Sequence, residues 1–465
     1  VNDQPARLAR ERSPVARWVR GVHRVRGALA LLAFAVLSLT SGCSPEAERP
    51  VRLVLITLDT LRLDGFEGER AAMPATAAWA ERGLVFDNAY AATTTTQPTH
   101  ASLLTGEHPW RHGVPRNGAV LAESWNTLPE QLQAAGFSTA AVVASFPLQE
   151  AFGFGQGFDV YDDAFSVTTG ARNWEGQSVP GQAFYSLSED VAERALARLD
   201  GLSGERQFLW VHFYDPHEPY GDAGDDVLTL SALQRACVSG AIDPAVTLRR
   251  ARALYDADLA VLDRDLGRLL ARLDADAEDY DTHVVLTSDH GESFGEDGSL
   301  GHGKRLSVEQ LRVPLAIVSP RVTPGRRAGP AGSVDVAATL RSLAGLEPGE
   351  GEGRDLTTPP RAGRPPSVFG MRRTFAEPYS DIRTDGTRVT VTGPRFYAVV
   401  EGTLYTGTSD DVLLEDLPGQ VPGPDVVDPL RALFGTFAAE LSGADLTEVT
   451  DPETQRALEQ LGYAR

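Results

Sequence analysis

VRLVLITLDTLR, residues 51–62, begins with a continuous apolar run and ends in an acidic turn. A run of this kind forms a strand buried on both faces, the mark of a sheet covered by helices. Similar runs recur as TAAVVAS (139–145), FLWVHFY (208–214), HVVLTSD (283–289) and VPLAIVS (313–319). Between them lie helical periods. TLPEQLQAAGF, residues 127–137, offers Thr127 as an N-cap, a proline near the first turn and Gly136 as a stop. Leu259, Leu262, Leu266, Leu269 and Leu273 mark one apolar face of a long helix. Strands alternating with helices predict an α/β fold, a mainly parallel sheet sandwiched by helices. In such sheets the site gathers beyond the carboxyl ends of the strands.

With 465 residues and 42% hydrophobic content, the chain can bury a large core, enough for one big catalytic domain and a smaller one. The Gly/Pro-rich stretch EPGEGEGRDLTTPPRAGRPP, residues 347–366, is expected to end a catalytic domain over residues 51–365. Residues 366–465 then form a small C-terminal α+β subdomain, an antiparallel sheet ending in a helix at DPETQRALEQLGY (451–463). The aromatic-rich FGFGQGFDVYDDAF (152–165) fits either a flexible substrate-side loop or core packing.

Seven arginines fall in the first 42 residues, so the remainder is more acidic than the formal net charge of −21 implies. That balance argues against nucleic acid as a partner, since phosphate backbones are gripped by clustered Lys and Arg. Arg24 and Arg26 precede an apolar run over residues 28–39, followed by TSGCSP. About twelve apolar residues are too few to span a bilayer and fit a signal-peptide core. Ser41 and Gly42 before Cys43 resemble a bacterial lipobox, with Thr40 where an aliphatic residue is usual. Residues 1–43 are therefore expected to be a signal peptide with Cys43 lipidated, and residues 44–50 a linker. The expected destination is the periplasm or cell surface, with membrane attachment by the lipid anchor. Cys237 then stands as a lone thiol.

The strand ends carry the chemistry. TLDTLR puts Asp59 at the sheet's edge, TSDHGE puts Asp289 and His290 there, and FYDPHEPY brings Asp215 and His217. One such Asp is more often a cap or turn residue than a ligand; several converging in one fold point to a site. Most of the nine histidines, among them His100, His212, His217, His290 and His302, lie in or beside these segments.

TQPTHASLLTG (96–106) resembles the sulfatase signature, and TLDTLR, FYDPHEPY, TSDHGE, GHGK (301–304) and DVAATLRSLAGL (335–346) appear in the order that sulfatases show them. The resemblance implies the alkaline phosphatase superfamily and its fold, in which a metal-activated nucleophile attacks a phosphoryl or sulfuryl centre. It implies that Asp59, Thr96, Asp289 and His290 surround a divalent cation. It also implies that His217, His302 and Lys304 serve the substrate and that His100 occupies the place of an arginine supporting the nucleophile. Asp215, His217 and His302 either complete a second metal site or bind substrate and protonate the leaving oxygen.

Two departures decide between chemistries. Formylglycine-dependent sulfatases have Cys or Ser where this chain has Thr96, and threonine cannot become formylglycine. An aldehyde hydrate expels sulfate by collapsing to the carbonyl, whereas a threonine ester must be cleaved by water at the transferred group. That step is ordinary for phosphate and awkward for sulfate, so phosphorus esters are favoured. Second, Thr60 stands where many sulfatases place another Asp. Losing that carboxylate beside an imidazole favours zinc or manganese over calcium, as one or two ions.

Lys304 is the only lysine in the chain. In sulfatases the lysine of this motif touches the ester near the leaving group, and a compact ammonium enters a tight space where a planar guanidinium would not fit. The sequence thus predicts an exported, metal-dependent hydrolase of small-molecule or envelope phosphate, phosphonate or sulfate esters. An envelope phospho-headgroup transferase and a non-catalytic binding lipoprotein are the alternatives.

Overall fold

In the computed structural model the run that opens at Val51 is β1 (Val51–Leu58), the axis of an eight-stranded sheet. The structure describes residues 49–456 apart from 168–182, 222–226, 240–242, 350, 360–366, 376, 416–421, 445 and 453. The expected signal peptide, Cys43 and most of the linker lie outside the described residues. The chain divides after Arg49, and the elements of the fold belong to the unit beginning at Pro50.

The other strands of the sheet are β2 (Leu84–Phe86), β3 (Ser138–Val142), β4 (Val160–Asp162), β5 (Arg206–Phe213), β6 (Asp281–Ser288), β7 (Leu315–Val318) and β8 (Gly325–Arg327). Their order is β8-β2-β7-β6-β1-β5-β3-β4. β1 pairs in parallel with both β5 and β6 along its whole length, so Leu58 stands opposite Phe213 on one side and Ser288 on the other. β3 is parallel to β5 and to β4. β7 runs antiparallel to β6 and to β2, so the VPLAIVS run joins the sheet reversed. An apolar run records burial and not direction. Here the chain leaves β6 at the carboxyl end and returns from that same end, which an antiparallel neighbour allows without a crossover helix.

Alternation along β1 supplies two cores. Leu53 and Leu55 face one side with Phe208, Trp210 and Val285, and Val54, Ile56 and Leu58 face the other with Leu209, Val211, Phe213, Val284 and Leu286. The first side is covered by α1 (Thr96–Thr105), α2 (Leu128–Ala134) and a later helix, and the second by α3 (Ser188–Gly201) and α4 (Pro244–Ala275). α2 begins with a reciprocal capping box between Thr127 and Glu130 and is followed by Gly136 at φ 84°. Leu259, Leu262, Leu266, Leu269 and Leu273 of α4 are all buried in the second core. Phe152 and Phe154 of the aromatic-rich segment are buried in the first core, so this part is packing and not a loop over the substrate.

The C-terminal region forms a four-stranded antiparallel sheet over residues 368–371, 396–400, 403–407 and 412–414 and a hairpin over residues 379–391. α5 (Asp335–Leu343) precedes it in sequence on the first face of the main sheet, and α6 (Pro424–Gly443) packs on the small sheet. Trp110 inserts between α6 and the strands, stacked on Phe437 with ring centroids 4.1 Å apart. Of the helix expected at 451–463, only its start is described: Asp451 accepts a hydrogen bond from the Thr454 backbone N–H at 2.7 Å. α6 is a further helix of this region, which the sequence reading did not place.

His108 and His112 lock the segment after α1. His108 stacks on Trp110 at 4.4 Å, and His112 Nε2 lies 3.0 Å from the Ser102 hydroxyl. Burial, reinforced by His108, pushes the His112 imidazole down to about 3. The unfolded chain therefore binds a proton near pH 6.5 that the folded chain refuses until about pH 3, so this group's contribution falls as pH drops through that window. His112→Gln is expected to remove up to about 1.4 kcal/mol per pH unit of the acid slope between those limits, read from urea unfolding at pH 4, 5 and 6.

Candidate active site

The flush ends of β1, β5 and β6 place residue 59, residue 214 and residue 289 side by side, because paired residues stay in register to the last rung. Asp59, donating its N–H to Phe213 O at 2.9 Å, extends the ladder by one residue. Its carboxylate is buried, and neither oxygen accepts a hydrogen bond from the described residues. Asp289 is likewise buried; its Oδ1 accepts from Thr60 N at 3.2 Å and His290 N at 2.8 Å, while Oδ2 accepts none. His290 Nδ1 faces Gly291 O at 2.9 Å, which makes Nδ1 the protonated nitrogen and leaves the Nε2 lone pair for a ligand. Nε2 lies 3.8 Å from Asp59 Oδ1 and 3.6 Å from Asp289 Oδ2.

These three side chains offer ligating atoms that all lie within 4.8 Å of one another. Their electrostatics suit a cation. Burial, with Glu292 adding to it and His290 opposing, pushes Asp59 up to about 7. Burial and then Asp59 raise Asp289. Burial opposes a proton on His290, yet the Asp289 and Asp59 carboxylates outweigh it and raise the imidazole. Two buried carboxylates and an imidazole with no hydrogen-bond partners for three oxygens and one nitrogen fit a divalent ion, with mixed O and N donors.

The turn that carries Asp59 is held under strain. Thr60 has φ 54°, a left-handed conformation that a β-branched residue adopts at a cost of roughly 1–3 kcal/mol. That rotation is what points its N–H at Asp289. Tyr255 of α4 fixes the turn, donating its hydroxyl to Thr60 O and accepting from Arg62 N, both at 2.9 Å. Arg62 itself bridges Asp64 at 2.8 Å, Glu296 at 2.7 Å and Glu292 O at 3.0 Å, which ties this turn to the segment after β6.

Thr96 is the first residue of α1 and is buried. His100, one turn later, has Nδ1 2.9 Å from Thr96 O and Nε2 3.0 Å from the Thr57 hydroxyl. Thr57 in turn accepts from Trp210 Nε1 at 3.1 Å, so its own proton goes to His100 Nε2 and His100 donates from Nδ1. Burial drives His100 down to about 3, which keeps it neutral in this chain of donors. His100, expected among the catalytic groups, has both nitrogens engaged, and its ring links the Thr96 carbonyl to Thr57. The same engagement disqualifies the second cluster of potential ligands, His100, His212 and Asp289. His212 accepts from Ala144 N at Nδ1 at 3.3 Å, so Nε2 bears the proton and faces Asp59 Oδ2 at 3.4 Å.

His217 and His302 lie beside this centre, with ring centroids 5.0 Å apart, and His302 is 4.4 Å from the ring of His290. His217 Nδ1 faces Glu218 O at 2.8 Å. His302 Nδ1 faces Glu292 Oε1 at 3.2 Å, and Glu292 Oε2 accepts from Tyr220 OH at 3.0 Å. Burial lowers both imidazoles, His217 to about 3. Among the described residues Asp215, His217 and His302 belong to neither converging ligand set. Lys304 is buried and donates to Leu300 O at 2.8 Å, with Asp381 Oδ1 at 3.6 Å.

Sequence reading missed Glu292 and Asp381 as partners in this site, and placed His212 only among the histidines beside the strand ends. Glu292 sits inside the quoted TSDHGE, which was a signal; Asp381 had none.

The fold is similar to that of the phosphonate monoester hydrolase SpPMH from Silicibacter pomeroyi (TM-score 0.59, 20% identity, 89% of this chain and 94% of that one). It is similar also to a putative sulfatase from Bacteroides thetaiotaomicron (TM-score 0.62, 18% identity, 88% and 96%). The chain belongs to the sulfatase family, whose model matches residues 52–346. It is 28% identical over 318 residues to choline-sulfatase of Rhizobium meliloti, covering 58% of this chain and 62% of that protein. With the multifunctional alkaline phosphatase superfamily protein PehA of Trinickia caryophylli it shares 26% over 359 residues, 59% and 68% of the two chains.

Zinc or manganese added to chelator-treated protein is expected to raise Tm, by about 2.7 kcal/mol of stability at a hundredfold excess over Kd. Asp59→Asn and His290→Ala are expected to abolish most of that shift in differential scanning fluorimetry.

Proposed function

We propose that this sulfatase-family hydrolase cleaves phosphate or phosphonate esters through a covalent Thr96 intermediate, in a reaction that depends on a divalent metal, zinc or manganese. The observation that carries the reading is Thr96 itself: a residue that cannot become formylglycine opens α1, within the sulfatase signature. A metal held by Asp59, Asp289 and His290 would neutralise charge on the transferred group and lower the pKa of the hydroxyl.

The chain's own groups then divide the work. His302, neutral and oriented through Nδ1 by Glu292, takes the Thr96 proton at Nε2 as the hydroxyl oxygen attacks phosphorus. The same proton passes to the departing ester oxygen, beside which Lys304 places its ammonium. In the second step water attacks the Thr96 ester; its proton goes to His302 and on to Thr96 Oγ, and phosphate or phosphonate leaves. His217, fixed by Glu218 O, holds the substrate's remaining oxygens. His100 and the Thr57–Trp210 relay hold the turn that presents the nucleophile.

Sulfate esters are the second reading, favoured by the similarity to choline-sulfatase. The second step weighs against them, since sulfate bound to threonine has no aldehyde collapse to release it. Export and anchoring by a lipidated Cys43, with an envelope or small-molecule ester as substrate, complete the proposal and rest on the arginine-flanked apolar run and TSGCSP. Among the described residues no helix is long and apolar enough to cross a membrane.

The test is a matrix of aryl phosphate, phosphodiester, phosphonate and sulfate against zinc, manganese and calcium. Turnover of a phosphorus ester is expected, with loss of about 10³-fold or more in Thr96→Ala and partial retention in Thr96→Ser. Sulfate turnover without phosphorus turnover, or a Thr96→Ala enzyme as fast as wild type, would overturn the proposal.

A further inference from the structure

The chain's single lysine is answered by an acid from the C-terminal region. Asp381 lies in the strand Tyr379–Ile382, paired antiparallel with Arg388–Val391. Most of this hairpin is open: Ser380, Arg388, Val389 and Thr390 are exposed. Asp381 is the contrary case, 1% exposed, so the hairpin turns a carboxylate inward while Val389 stays outside. Burying a carboxylate costs several kcal/mol unless a counter-charge meets it.

That counter-charge is Lys304, itself buried, with Nζ 3.6 Å from Asp381 Oδ1. Arg383 stands 3.8 Å from Oδ2. The pairing is electrostatic only, because Asp381 Oδ1 accepts no hydrogen bond. Nζ donates to Leu300 O at 2.8 Å and lies 5.9 Å from the Tyr379 ring centroid. An ammonium has three donors, and the loop carbonyl takes one. An arginine in this place would fork onto both carboxylate oxygens and spend its donors on Asp381.

We propose that Asp381 is a positioning residue: it holds the Lys304 ammonium in the active-site loop by charge, without consuming its donors, so that the remaining N–H groups meet the leaving oxygen of the ester. The inference rests on the ester-hydrolase reading above, and it makes the C-terminal hairpin part of the active site. A carboxylate that merely docked the hairpin would affect all substrates alike.

The experiment uses the full chain and a series of aryl phosphate or phosphonate esters whose phenols differ in acidity. In Asp381→Asn, kcat on the ester with the poorest leaving group is expected to fall by about 10- to 100-fold, with less than about a threefold change on the best one and KM little moved. Lys304→Met combined with Asp381→Asn should be no worse than Lys304→Met alone. Asp381→Glu, which keeps the charge, should recover part of the loss and serves if the Asn variant does not fold. A uniform loss across the series, or additive effects in the double variant, would overturn the proposal.

A second readout needs no turnover. With one lysine in the chain, selective 15N labelling of lysine side chains gives a single Nζ signal. A slowly exchanging ammonium in the wild type that broadens in Asp381→Asn supports the positioning role; an identical signal in both refutes it, whatever the enzyme hydrolyses. Silence on every ester alongside that broadening would instead sink the ester-hydrolase reading and leave the pairing standing.

Discussion

Three parallel strands that end on the same rung govern the rest of this molecule. β1 cannot slip by one residue against β5 or β6 without turning Leu53, Leu55 and Thr57 to the opposite core, so the register is held by burial on both faces. The same register sets Asp59 beside Asp289 and His290, with water excluded from all three. Burial raises Asp59, burial and then Asp59 raise Asp289, and among the described residues three of their four oxygens accept no hydrogen bond. Such an arrangement suits a divalent cation.

Much of the surrounding structure serves to hold that arrangement. The strained Thr60 turn, the Tyr255 hydroxyl clamped on both sides of it and the Arg62 bridges keep one carboxylate in place against the repulsion of the other. On the opposite face, Trp210, Thr57 and His100 form a donor chain that ends on the carbonyl of Thr96. A neutral imidazole suits this position: buried beneath the helix, it links two hydrogen-bonding groups without adding charge to a centre already crowded with it.

The site also spans distant parts of the chain. Residues from the β6 excursion, including Glu292, His302 and Lys304, are oriented by Tyr220 and by Asp381. Each imidazole is turned by a neighbour at Nδ1: Gly291 O for His290, Glu218 O for His217 and Glu292 for His302. Those partners decide which nitrogen faces the reaction, and therefore what each ring is able to do there.

The local sequence by itself determined the buried strands, the capped α2, the leucine face of α4 and the placing of Asp59, Asp289 and His290 at strand ends, because periodicity, capping and chain breaks are properties of neighbouring residues. Resemblance to the sulfatase signature supplied Thr96 and the family. Only the tertiary structure decided the reversal of β7, which depends on the path of a connection and not on its composition. Only it tied His100 to Thr57 and the Thr96 carbonyl, left Asp215, His217 and His302 outside the converging ligand sets of the described residues, and joined Lys304 to Asp381. Those outcomes rest on hydrogen bonds and charges between residues remote in sequence, and a buried polar group's role is set by the partner that satisfies it, which no local pattern records.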